Sequence, residues 1–270
     1  MHRGFLAAGL SMAALLAGCD RSLPKIVYEN VTIPDEAVDR SAAPAAVRLT
    51  ARDGVVVFGR LYSAAHPKAL ILLFHQAGSS KDEYASIAPR LNREGYSALA
   101  IDQRSGGSLY GTNETAARAA PGTGGNEDAG YPAAEPDLQA ALDWGMRRKL
   151  PLILWGSSYS AALVFDVAAQ NPGKVTALLA FSPGEYMPDR HFVGRAAARL
   201  TIPVFIDSAA KPDEISAAKA IADAVPGGRA SQYVPANGVH GSSTLIGTKN
   251  PQGVDENWKE VLAFLKRVAP

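Results

Sequence analysis

Five short, almost unbroken apolar runs constrain this chain more than any other feature. They are ALILLFH (69–75), YSALAID (96–102), PLILWG (151–156), KVTALLAFS (174–182) and IPVFID (202–207). A strand with one wet face alternates apolar and polar residues. A strand covered on both faces does not; ALILLFH and YSALAID read as the second kind, and the other three read as strands. Between them lie stretches with helical spacing: DEYASIAPRLNREG (82–95), EPDLQAALDWGMRRK (135–149), YSAALVFDVAAQN (159–171) and PDEISAAKAIADAV (212–225). A short strand, ASQYVP (230–235), and a last helix, DENWKEVLAFLKRV (255–268), complete the series. Upstream, AVRLTA (46–51) and VVVFGRLY (55–62) pair as a hairpin around Asp53-Gly54. Strand–helix alternation of this kind predicts an α/β fold: a mostly parallel central sheet, helices on both faces, and antiparallel N-terminal strands. Two stretches interrupt it, 105–134 and 183–200. Both follow strand carboxyl ends, where open α/β sheets place their ligands.

The first residues stand apart. His2 and Arg3 precede the apolar stretch GFLAAGLSMAALLAG, which ends at Cys19, the only cysteine among 270 residues. The tetrad Leu16-Ala17-Gly18-Cys19 resembles the lipobox of bacterial lipoproteins. That resemblance implies a signal peptide over 1–18, diacylglycerol on the Cys19 thiol, and attachment to a membrane of the cell envelope through the acyl chains. Residues 19–45, with three prolines and scattered charge, read as a tether ahead of a domain spanning 46–270. Charge is balanced, 27 Lys plus Arg against 26 Asp plus Glu, and no basic run suits a phosphate backbone, so no nucleic-acid partner is expected.

The stretch LILWGSSYSAAL (152–163) carries three serines where a strand turns into a helix. A nucleophile elbow is such a turn, and it tolerates only small residues two before and two after the nucleophile. Around Ser158 these are Gly156 and Ser160. Around Ser157 they are Trp155 and Tyr159, which are too large. Ser160 would already lie inside the helix, so Ser158 is the candidate. Serine replaces the second glycine of the usual pattern, which is expected to be tolerated at modest cost. A hydroxyl needs a base within reach. Of five histidines, His240 lies in a loop between the last strand and the last helix, beside the elbow's edge of the sheet. Asp207, Asp213 and Glu214 are acids near the preceding strand. Asp207 would point into the sheet, Asp213 opens the next helix and is taken as the orienting acid, and Glu185 is held in reserve.

The order Ser158, Asp213, His240, with FHQAGSS (74–80) and IDQRSGGS (101–108), resembles the α/β-hydrolase superfamily, near its dienelactone-hydrolase-like and serine esterase branches. The first segment is similar to the H-G-x-G loop and the second to the D-x-R-G-x-G-x-S stretch. Gln76 departs from the first pattern, and the domain has no cysteine for a dienelactone hydrolase's nucleophile. The resemblance implies a serine hydrolase cleaving esters or related acyl compounds through an acyl-enzyme. The oxyanion would sit on the N–H groups of Tyr159 and Ala77, with Gln76 the neighbouring choice. His75 would shape that loop and Arg104 would pin the loop after it. The partner is a small acyl substrate, and no cofactor or metal is implied. The alternatives are a non-catalytic binding lipoprotein of the same fold, or an acyltransferase or amidase using the same three residues.

Overall fold

The computed structural model describes residues 43–118 and 130–270, all within one compact unit of the chain. The signal segment, Cys19 and most of the 19–45 stretch lie outside the described residues, as does KIVYENVTI, which reads as an edge strand.

The apolar runs form the interior of one eight-stranded sheet, ordered β1-β2-β4-β3-β5-β6-β7-β8. β1 (Ala45–Thr50) and β2 (Val56–Tyr62) are antiparallel, and β2 runs antiparallel to β4 (Ser97–Ile101). β3 (Leu70–Phe74), β4, β5 (Leu152–Ser157), β6 (Ala177–Phe181), β7 (Val204–Asp207) and β8 (Ala230–Gln232) are parallel. The hairpin turns where the sequence places it. Gly54 takes φ +87°, a conformation costly for residues with a Cβ, and its N–H donates to the Ala51 carbonyl at 2.9 Å.

Every residue of β3, β4, β5 and β6 is buried, because helices cover both faces. Side chains alternate between two apolar layers. Leu70, Leu72, Phe74 and Leu154 face one layer with α3 (Glu135–Met146) and α4 (Tyr159–Gln170). Ile71, Leu73, Ile153 and Trp155 face the other, with α1 (Ile87–Arg93) and the last helix, α7 (Val254–Val268). In that second layer Trp155 stacks on Phe181 at 4.6 Å between centroids. Among the described residues the remaining α-helices are α2 (Glu114–Arg118), α5 (Phe192–Ala197) and α6 (Pro212–Ala224).

One predicted helix is divided. Residues 82–95 read as a single helix, but a 3-10 turn covers Lys81–Tyr84 and α1 begins only at Ile87. Pro89 explains the break: proline has no N–H to donate backward and its ring crowds the preceding turn, so it sits only in a helix's first turn. The 105–134 stretch is partly built. Asp102, at the end of β4, accepts from the N–H of Glu114 at 2.8 Å, and Thr115 Oγ1 accepts from Phe58 N–H at 2.9 Å, which fixes α2 to the sheet.

Sheet order locates the chemistry. From β3 the chain goes to β4 on one side, then crosses to β5 on the other. At such a switch, connections leave in opposite directions and open a crevice at the carboxyl ends. Phe74 pairs with Gly156 there, so the loops after β3 and β5 lie side by side.

Candidate active site

Ser158 sits on a sharp turn between β5 and α4, with φ +58° and ψ −122°. For a residue with a Cβ this is a strained conformation, and such strain clusters at functional sites. Gly156 is required: a Cβ there would lie 2.5 Å from the Ser160 carbonyl oxygen and 2.6 Å from Ala161 Cα. Ser160 does more than fit. Its hydroxyl donates to the His75 carbonyl at 2.6 Å and meets the Gln103 amide, tying the elbow to the loops after β3 and β4. These bonds are made by the hydroxyl that stands where the usual pattern has its second glycine.

His240 Nε2 lies 2.8 Å from Ser158 Oγ, and His240 Nδ1 lies 3.0 Å from Glu214 Oε2. A carboxylate only accepts, so Nδ1 carries a proton and Nε2 is left to accept from the serine hydroxyl. The acid beside the imidazole is thus Glu214, where the sequence reading took Asp213. Both stand in the first turn of α6, but neighbouring helical positions point about 100° apart. Glu214 turns inward with its side chain 15% exposed, while Asp213 is exposed. Burial pushes the Glu214 carboxyl up. Hydrogen bonds from Ser182 and His240, the charge of His240 and the Ala209 N–H outweigh it, leaving the group below its usual range.

The other acids are otherwise engaged. Glu185 accepts from the N–H groups of Val193 and Gly194, both at 2.8 Å, and so fastens the start of α5. Asp207 is fully buried, accepts from Ser208 N–H at 2.7 Å, and is pushed up to about 8 by desolvation. Ser182, which no sequence pattern marks, supports the histidine loop. Its hydroxyl accepts from Gly241 N–H at 2.9 Å and helps to lower the Glu214 carboxyl, and its own backbone is left-handed at φ +51°.

Tyr159 and Ala77 are the expected oxyanion donors. Tyr159 is the first residue of α4, so its N–H is one of those a helix leaves unpaired at its start, at the positive end of the helix dipole. On the other side, Gln76 N–H is committed to Glu83 Oε2 at 2.8 Å. That commitment favours Ala77 over Gln76 as the second donor.

His75 is buried and shapes its loop. Nδ1 donates to the Gln76 carbonyl at 2.8 Å and Nε2 accepts from Gln103 N–H at 3.0 Å, while burial lowers the ring to about 4. Arg104 also serves the frame, bonding Asp137 at 2.6 Å and meeting Asp53 from the hairpin turn. Around the site, Tyr131 stacks on Tyr159 at 4.6 Å and separates two clefts. Ala77, Gly78 and Ser105 bound one, and Tyr186, Met187, Pro188 and Arg190 bound the other. Both interrupting stretches therefore reach this edge. The Tyr186 hydroxyl donates to the Ser182 carbonyl at 2.9 Å, and burial foremost pushes it up to about 12. Among the described residues, no cluster of three or more His, Cys, Asp or Glu side chains is placed to hold a metal ion.

A mostly parallel sheet with antiparallel strands at its start, a strained elbow after β5 and a histidine before the last helix define the α/β-hydrolase fold. Residues 65–225 match the hydrolase family described as serine aminopeptidase, S33, and the chain belongs to that family. Solved structures share the fold. An esterase from Pyrococcus furiosus is 18% identical, with 86% of this chain and 93% of that one aligned at TM-score 0.61. Dienelactone hydrolase from Anabaena variabilis is 15% identical over 85% and 100% of the two chains at TM-score 0.65. A cold-adapted esterase from an Arctic intertidal metagenomic library is 19% identical over 86% and 96% at TM-score 0.61. No curated protein matches the chain.

Proposed function

We propose that the protein is a serine hydrolase that cleaves carboxylic esters or related acyl compounds, with Ser158 as nucleophile, His240 as base and Glu214 as the orienting acid. One observation carries this reading: a continuous hydrogen-bonded line from the Ser158 hydroxyl through the His240 ring to the Glu214 carboxylate. Ser158 Oγ attacks the acyl carbonyl while its proton passes to His240 Nε2. The negative oxygen of the tetrahedral adduct is held by the N–H groups of Tyr159 and Ala77, each worth about 3–4 kcal/mol in such sites. The adduct collapses to an acyl-serine, and His240 returns its proton to the departing alcohol. Water then repeats the sequence, releasing the acid and restoring the serine. Glu214 keeps the ring in the required tautomer and stabilises it when protonated.

The fluorophosphonate test is direct. The wild-type protein should be labelled and the Ser158→Ala variant should not. Equal labelling of both removes Ser158 as nucleophile, and an unlabelled wild type favours a binding protein of the same fold.

The family description favours one second reading, hydrolysis of an N-terminal peptide bond by the same residues. An aminopeptidase must hold the substrate's α-amino group with an acid. Glu185, beside Tyr186 at the cleft, already accepts one backbone N–H on each oxygen. Comparing a short p-nitrophenyl ester with aminoacyl p-nitroanilides separates the two readings. A lipid on Cys19, holding the domain at an envelope membrane, belongs to the same proposal and rests on the Leu16–Cys19 tetrad. Palmitate incorporation that Cys19→Ser abolishes is its test.

A further inference from the structure

Glu83 has no part in the chemistry above, yet it lies behind all of it. It stands in the 3-10 turn after β3 and is 1% exposed. One carboxylate oxygen accepts from Gln76 N–H at 2.8 Å and the other from the Ser157 hydroxyl at 2.7 Å. Ser157 Oγ in turn accepts from Ser242 N–H at 2.8 Å. The fit is close: a Cβ on Gly241 would lie 2.5 Å from Ser157 Oγ, and Gly241 holds φ +66°. Ser242 is held from behind as well, its hydroxyl accepting from Trp155 Nε1 at 2.9 Å.

Two segments thus bond one buried carboxylate directly, and a third reaches it through Ser157. Gln76 immediately precedes the proposed oxyanion donor Ala77, Ser157 immediately precedes Ser158, and Ser242 follows His240 by two residues. A carboxyl taken out of water is costly, and apolar residues would fill the same volume without that cost. Burial raises Glu83 to about 7, with the bonds from Gln76 and Ser157 acting against it. An ionised carboxylate offers acceptors in two directions at fixed spacing, which an apolar side chain does not.

We propose that Glu83 is a positioning residue for the hydrolase reaction: through Gln76 and through Ser157 to Ser242, it fixes the oxyanion loop, the elbow and the histidine loop relative to one another. This rests on the hydrolase reading above. Glu83 touches neither substrate nor the reacting atoms, so it acts on kcat by holding geometry. Misplacing such groups by about 1 Å is typically worth roughly a hundredfold in rate.

The experiment measures ester turnover per fluorophosphonate-titrated site, which removes any unfolded fraction, for wild type, Glu83→Gln, Ser157→Ala and the double variant. Glutamine keeps the size but turns one acceptor into a donor. It then faces either the Gln76 N–H or a Ser157 oxygen already bonded by Ser242. Glu83→Gln should lower kcat per titrated site about 10–100-fold with KM within about threefold. Ser157→Ala should lower kcat about fivefold, and the double variant should be no worse than Glu83→Gln, because both act along one path. Turnover of Glu83→Gln within about twofold of wild type per titrated site overturns the proposal, as does full additivity of the two changes. If Glu83→Gln does not fold, Ser157→Ala alone decides by the same twofold limit. A wild type that takes up no probe sinks the hydrolase reading, and this proposal with it. A wild type that labels beside an unimpaired variant sinks this proposal alone.

Discussion

Ser158 has a front and a back, and the two are built differently. In front, His240 is 38% exposed and the line to Glu214 ends on a partly exposed helix start. Behind, Glu83, Ser157 and Ser242 are all but sealed from water. In the proposed reaction the front must let a proton move, so it needs groups whose charge can change beside substrate. The back holds those groups at fixed spacing, and burial serves it by strengthening each hydrogen bond. One serine lies on each side of the same turn, and their neighbours suit only Ser158 to the proposed role of nucleophile. Ser158 meets an imidazole nitrogen, whereas Ser157 gives its proton to a carboxylate and accepts a backbone N–H.

The largest test of this contrast is Ser158→Ala, expected to lower kcat for a short ester by about 10⁴–10⁶-fold while leaving the thermal midpoint no lower. A loss below a hundredfold would place the nucleophile elsewhere. Next comes the pair Glu214→Gln and Asp213→Asn. The first should cost about 10²–10⁴-fold in kcat and the second less than about twofold, read on the same substrate. The reverse ranking would return the acid to position 213.

The smallest effects lie in pH, and they sharpen the account of the back. His75 is held neutral: its ring sits at about 4 when folded against 6.5 when free. Between these values the unfolded chain binds the extra proton, so the stability from neutral His75 is complete above pH 6.5 and is lost as pH falls toward 4. Glu83 has the opposite sign. Its carboxyl sits at about 7 when folded against 4.5 when free, so there the folded chain binds the proton and stability from this group rises as pH falls from 7 to 4.5. Thermal midpoints measured from pH 7 to 4.5 should therefore fall more steeply for Glu83→Gln than for wild type, and less steeply for His75→Gln. Three parallel curves would mean that neither burial matters to stability.

Much of this was legible in the sequence because it depended on local chemistry. Continuous apolar runs mark doubly covered strands, and five of the six parallel strands fall where those runs do. The choice of Ser158 over Ser157 followed from Trp155 and Tyr159 being too large for an elbow's flanks. His240 followed from its place before the last helix. The acid did not follow. Asp213 and Glu214 are adjacent, chemically alike and both in the first turn of α6, and only the docking of that helix on the sheet decides which faces His240. Glu83 was harder still, since DEY after a loop reads as an ordinary helix start. Its significance arises from Gln76, Ser157 and Ser242, residues separated by up to 166 positions and joined only by the β3–β5 pairing and the return of the last loop.

The left-handed backbone at residue 158 has a consequence of its own. Glycine adopts that geometry freely, whereas serine holds it at a cost of about 1–3 kcal/mol. On the proposed mechanism, Ser158→Gly should therefore melt at a higher temperature than the native protein while losing its turnover. In this molecule a more durable chain would be a dead one.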